Sequence, residues 1–128
     1  VSNTCTENDL VTHKSGRLLW YIPGALLAIG VFWSEGRTWF WTAGLVVAGT
    51  ACLVNAARCG RLHCYFTGPL YLLGATATLL RGFGIVRLPW SWILYAVLGG
   101  SVLAFVPEWV SGKYVRSKGM DHQRRSSQ

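Results

Sequence analysis

Charge is what this sequence has least of. Asp, Glu, Lys and Arg make up 13% of its 128 residues, against about 25% in an ordinary soluble domain. That shortage excludes a set of helices that each turn a polar stripe to water. Other absences narrow the function. There is no Ser-His-Asp arrangement, no pair of carboxylates inside an apolar run and no phosphate-cradling glycine loop. Hydrolase or group-transfer machinery is therefore not visible. A recognisable nucleic-acid-reading module is also missing, so the net charge of +7 is not read as a nucleic-acid footprint. No internal repeat is present.

What is present is apolar and grouped. Hydrophobic residues reach 52%, and the few charges bracket long uncharged stretches. Seventeen uncharged residues separate Arg17 from Glu35, 20 separate Arg37 from Arg58, 19 separate Arg61 from Arg81, and 20 separate Arg87 from Glu108. A hydrocarbon core about 30 Å thick takes roughly 17–25 residues of apolar helix. Each stretch meets that length. The expectation is an all-α integral membrane four-helix bundle with short loops, with spans at about 18–34, 38–57, 63–80 and 88–107. Residues 1–17 form a polar N-terminal tail and 111–128 a basic C-terminal tail in this reading. Ser34-Glu35-Gly36-Arg37 does not resemble a small-residue cleavage site, so the first span is expected to be a retained anchor.

The seven Trp support the same division. Trp20 and Trp33 flank the first span, Trp39 and Trp41 open the second, and Trp90, Trp92 and Trp109 bracket the fourth. Amphipathic rings collect at the headgroup level, with the body in lipid and the N–H wet. Pro69 falls near the start of the third span, where proline is tolerated, and Pro89 opens the fourth. Gly44, Ala48 and Cys52, and again Ala96, Gly100 and Ala104, make ridges of small residues at helical spacing. Such ridges let helices approach closely in lipid, within one bundle or at a dimer face.

Basic residues orient the spans. Lys14, Arg17, Arg58, Arg61, Lys113, Arg116, Lys118, Arg124 and Arg125 fall on one side, and Arg37, Arg81 and Arg87 on the other. The positive-inside rule places both termini and the cysteine-bearing loop in the cytoplasm, with the basic tail beside anionic lipid. His13 and His122 lie in the tails and are read as solvated. Glu108, after Pro107 at the cytoplasmic end of the fourth span, is read as a local cap or ion-pair partner, with a proton-coupling role as the alternative.

One constellation carries chemistry. Cys59 and Cys64 enclose Gly60-Arg61-Leu62-His63, a C-x-x-x-H-C cluster where a helix meets a loop. Thiolate is a soft ligand suited to Cu(I), Zn and similar ions, and imidazole is a good companion. Arg58 and Arg61 alongside would favour thiolate. Cys52 precedes Cys59 by two helical turns, on the same face and about 10 Å deeper. Asn55 lies between them as a polar residue within a span, which favours the bundle interior. Cys52, Asn55, Cys59, His63 and Cys64 together suggest a path of thiols from mid-membrane to the surface. A structural disulfide, a small core cysteine at Cys52 and interhelical glue at Asn55 are the plain alternatives.

Four spans in a short chain, with cysteines at a span end, resemble the small inner-membrane transport proteins of bacterial mercury-resistance systems. That family passes the ion between cysteine pairs and hands it to a cytoplasmic reductase. Its first span typically holds a close cysteine pair; here that span has none, and Cys59 and Cys64 would take its place, with Cys52 as a deeper relay. The resemblance implies movement of a soft ion, mercuric first and cuprous next, by thiolate ligand exchange, with Cys59, Cys64, His63 and Cys52 as ligands. The chain is then a transporter or binding protein and not an enzyme. No tightly bound cofactor is expected. The expected partners are the bilayer, the ion, and a second copy of the chain or a cytoplasmic metal-accepting protein. Two further readings stay open: a membrane thiol–disulfide oxidoreductase, and a non-catalytic membrane subunit.

Overall fold

Why the chain folds as it does starts at its breaks, because apolar helix is the default along most of it. The computed structural model describes residues 14–111, which form four helices and no strand. These are α1 (Lys14–Phe32), α2 (Arg37–Cys59), α3 (Leu62–Gly82) and α4 (Trp90–Ser111). The two tails, with His13 and His122, lie outside the described residues, except that α1 begins at Lys14, inside the stretch expected to be tail.

Each break has a local cause. After α1, the Arg37 guanidinium donates from Nε to the Gly30 carbonyl at 2.8 Å and from Nη2 to the Val31 carbonyl at 3.2 Å. These groups sit in the last turn of α1, where helix carbonyls lack intrahelical partners. α2 ends at Gly60, which takes a left-handed conformation (φ 61°) and donates its N–H to the Ala56 carbonyl at 2.8 Å. Glycine adopts this cap without a Cβ clash. Only Gly60 and Arg61 then separate α2 from α3. Gly84 (φ 75°) turns the chain after α3, and α4 begins just past Pro89.

Pro69 departs from the sequence expectation. α3 starts at Leu62, so Pro69 is an interior residue and not part of the first turn. Lacking an N–H, it leaves the Tyr65 carbonyl without its helical donor.

The short connections make the helices run up, down, up, down. They pack in chain order, α1 on α2, α2 on α3 and α3 on α4, and no other pair of described helices makes backbone contact. The α2–α3 crossing is close because Gly49 faces Gly68. A Cβ on Gly49 would lie 3.1 Å from the Gly68 carbonyl oxygen and 3.0 Å from Leu72 Cγ. Of the small-residue ridges, Gly44, Ala48 and Cys52 are buried along α2. Along α4 Ala104 is buried, while Ala96 is exposed.

Two clusters form the interior. Leu45, Ala75, Ile93 and Val97 join α2, α3 and α4. Cys52, Ala56 and Cys64 join α2 and α3, with Trp20 and Tyr71 packed against them. The tryptophans divide accordingly, which corrects the reading of all seven as a belt. Trp41 is 4% exposed, donates Nε1–H to the Leu27 carbonyl at 3.1 Å and meets Trp90 edge-on at 5.6 Å. Trp20 turns onto the cysteine cluster. Trp33, Trp39, Trp92 and Trp109 point outward.

α2 and α4 are long and apolar enough to cross a membrane, and the apolar part of α1, Gly16–Phe32, is shorter. At 1.5 Å per residue α2 and α4 are about 34 and 33 Å long.

Candidate functional site: a buried cysteine–histidine–glutamate cluster

The site lies at the end of the fold where α2 finishes, α3 starts and α4 finishes. On α2 a buried stripe runs Cys52, Asn55, Ala56, Cys59, spaced i, i+3, i+4, i+7 as one helical face requires. On α3 the buried residues of the first two turns are His63, Cys64, Thr67 and Gly68. From α4 the buried contributor is Glu108. The left-handed turn at Gly60 brings α3 back along α2, so the two cysteine-bearing faces meet.

Cys64 is the centre. It is fully buried, and its sulfur has three neighbours. Asn55 Nδ2 donates to Cys64 Sγ at 3.7 Å. His63 Nε2 lies 3.4 Å from the same sulfur. The Cys52 thiol is within hydrogen-bonding reach and packs in the same cluster. Thr67 Oγ1 donates to the His63 carbonyl at 2.9 Å and reaches Cys52 Sγ at 3.4 Å. Cys52 and Cys64 are both thiols, with no disulfide between them.

Behind His63 stands Glu108. Its Oε2 lies 2.7 Å from His63 Nδ1, and its Oε1 lies 3.5 Å from Arg61 Nε. The carboxylate thus sets a negative charge beside Nδ1 at ion-pair distance, without hydrogen-bond alignment. Nε2 faces the Cys64 sulfur, and the imidazole tautomer sets which of the two donates. Phe105 stacks on the His63 ring at 4.6 Å and 20° between planes, which restrains rotation of the ring. The result is a thiol beside an imidazole that a carboxylate backs on its other nitrogen, a grouping that can activate a thiol towards a metal ion or an electrophile.

The residues singled out in the sequence are therefore placed as follows. Cys52, Asn55, His63 and Cys64 come together. Cys59 is buried as the last residue of α2 but lies outside the Cys52–Cys64 cluster. Contact thus joins Cys64 to Cys52, whereas sequence spacing paired it with Cys59. Arg61 is engaged with Glu108. Sequence reasoning passed over Thr67, and it read Glu108 first as a local cap or partner and second as a proton-coupling group. The available signal was that Glu108 is the single acidic residue between Glu35 and Asp121. Among the described residues, no group of three or more His, Cys, Asp and Glu side chains is arranged to hold a metal ion.

Comparison with protein families, characterised proteins and solved structures finds no match to the chain.

Proposed function

We propose that the chain spans a bacterial inner membrane four times, with both termini cytoplasmic, and moves a soft metal ion, mercuric or cuprous, by exchange between thiolates. The observation that carries the reading is the contact of Cys52 with Cys64 on facing helices, backed by His63 and Glu108. Two thiolates suit a soft ion that accepts two ligands, so such a site needs no third protein ligand. Full burial of both sulfurs suits a single ion better than a bulky substrate.

The membrane placement draws on two features. α4 is apolar around its whole circumference, yet only 22% of its most apolar stretch is buried, which supports a lipid-facing helix over a core helix. Large apolar side chains such as Phe32, Leu73, Tyr95, Leu103 and Val110 are exposed on three helices, where lipid would cover them.

The exchange balances without a separate proton sink. The ion arrives held by two small thiolates. As each S–metal bond to Cys64 or Cys52 forms, one bond to a carrier breaks, and the carrier leaves as a thiol with the displaced proton. His63 Nε2 takes the Cys64 proton and returns it to the departing thiolate, while Glu108 stabilises the imidazolium between the two events. Cys59, two turns along α2 from Cys52 and so about 10 Å nearer the helix end, is the next station.

The same contact favours a second reading, thiol–disulfide exchange. Two-electron oxidation would join Cys52 to Cys64, with a quinone taking both electrons and both protons. One experiment separates the readings. Accumulation of Hg(II), Cu(I), Cd(II) and Zn(II) is measured in bacteria carrying wild type, Cys52→Ser/Cys64→Ser or Cys59→Ser at equal membrane levels. Higher accumulation of one soft ion in wild type, lost in the double variant, supports transport. No change for any ion overturns it, and quinone-dependent cycling of the pair in isolated membranes would then favour the redox reading. Full function in the double variant would leave the non-catalytic subunit.

A further inference from the structure

We propose that the end of the fold opposite the thiols holds one anionic phospholipid, its phosphate at Arg37 and Arg81 beside Trp90 and an acyl chain in the groove between α3 and α4. The proposal rests on the membrane placement above and is independent of the metal reading.

Two cations share one ring here. The Arg37 guanidinium lies 5.7 Å from the Trp90 ring centre and that of Arg81 5.6 Å. Two positive charges converge on this one ring, which favours an anion nearby, and among the described residues neither pairs with a carboxylate. Arg37 commits Nε and Nη2 to the end of α1. Arg81 Nε is buried and has no hydrogen-bond partner. A buried guanidinium N–H without an acceptor is costly, and an anion would satisfy it while balancing the two charges. Guanidinium forks match phosphate oxygens in geometry.

An apolar groove begins one helical turn from Arg81. Leu70, Leu73 and Ala77 on α3, and Leu88, Trp92 and Ala96 at and along α4, line a groove of about 290 Å³. Leu70, Leu73, Ala77 and Arg81 follow one another at three- and four-residue steps, so Arg81 continues the groove-lining stripe by one turn. Trp90 and Trp92 stand at the same end. Headgroup charge beside a lipid-facing groove is the chemistry of an anionic phospholipid, which satisfies both halves at once.

The test uses the purified full chain in detergent, after carbonate extraction of membranes has shown whether the chain is integral. Retention of phosphatidylglycerol and phosphatidylcholine, supplied at equal mole fraction, is read by native mass spectrometry. Wild type should keep one phosphatidylglycerol with a preference of about fivefold, the worth of about one basic side chain near a lipid surface. Arg81→Gln should lose the preference and Arg81→Lys should keep most of it. Ala96→Phe, which fills the groove from an exposed position, should lower retention of both lipids. Equal retention of the two lipids by wild type, or an undiminished preference in Arg81→Gln, overturns the proposal. So does displacement of the lipid by inorganic phosphate at matching concentration, or a lipid-free dimer that covers the groove with a second copy. A chain released by carbonate overturns the membrane reading itself; a chain that stays integral but shows no preference overturns only the lipid site.

Discussion

Glu108, in the last turn of α4, sits 2.7 Å from the Nδ1 atom of His63, in the first turn of α3. The two residues are 45 positions apart, and the pair links the helix that carries Cys64 to the last helix of the fold. The carboxylate therefore places its negative charge against the imidazole whose other nitrogen lies 3.4 Å from the Cys64 sulfur.

Glu108→Gln tests that charge. The amide keeps the size but not the charge, so Nδ1 and Arg61 both lose the negative charge beside them. Outer partners of metal-ligating groups are worth about 10–100-fold in ion affinity, and a loss of that order is expected. Competition titration of the purified chain with a soft ion against a small dithiol reads it. Affinity within twofold of wild type would show that His63 is oriented without Glu108.

Stoichiometry distinguishes the cysteines. The contact between Cys52 and Cys64 predicts that one equivalent of mercuric ion protects both from a maleimide in unfolded-and-trapped samples. Cys52→Ser and Cys64→Ser should each abolish that protection, and Cys59→Ser should leave it in place. Protection that depends on Cys59 and not on Cys52 would return the ligand pair to the one suggested by sequence spacing.

Gly60 makes the site possible by ending α2 in the left-handed region. No atom lies within 4 Å of a Cβ built there, so a substitution meets only backbone strain. Gly60→Val should cost about 1–2 kcal/mol, read as a lower midpoint of unfolding in mixed micelles. Gly60→Asn should cost less, since Asn visits this conformation. Equal midpoints for glycine and valine would mean that the turn relaxes.

Gly49 sets how near α2 and α3 can come. Because the Gly68 carbonyl is backbone and cannot swing aside, Gly49→Val should push the helices apart at a cost of about 1–3 kcal/mol. The same change should slow oxidative joining of Cys52 to Cys64 by a mild oxidant, compared with Val46→Ala on the exposed face of α2. An unchanged rate would place the flexibility elsewhere in the hairpin.

Much of this was legible beforehand. Charge-free stretches of helix-spanning length placed four helices within a few residues of their observed limits, because an apolar run with no polar stripe has few folded alternatives. The site residues Cys52, Asn55, His63 and Cys64 were legible as chemistry, since thiol, imidazole and amide groups are rare in apolar surroundings. The division of the tryptophans was not. Trp41 and Trp39 are equally amphipathic, and only the rotation of α2 against α1 turns one to the Leu27 carbonyl and the other outward.

Composition and spacing alone determined the helical class, the positions of the breaks and the identity of the reactive side chains, because helix formation and chain reversal depend on near neighbours. The partners were decided by tertiary structure. Cys64 packs with Cys52 from the facing helix, and His63 faces Glu108, because the close α2–α3 crossing at Gly49 and Gly68 and the antiparallel return of α4 set which helix faces meet. Sequence separation carries little information about contacts between faces, since the rotation of one helix against another is fixed by packing over its whole length.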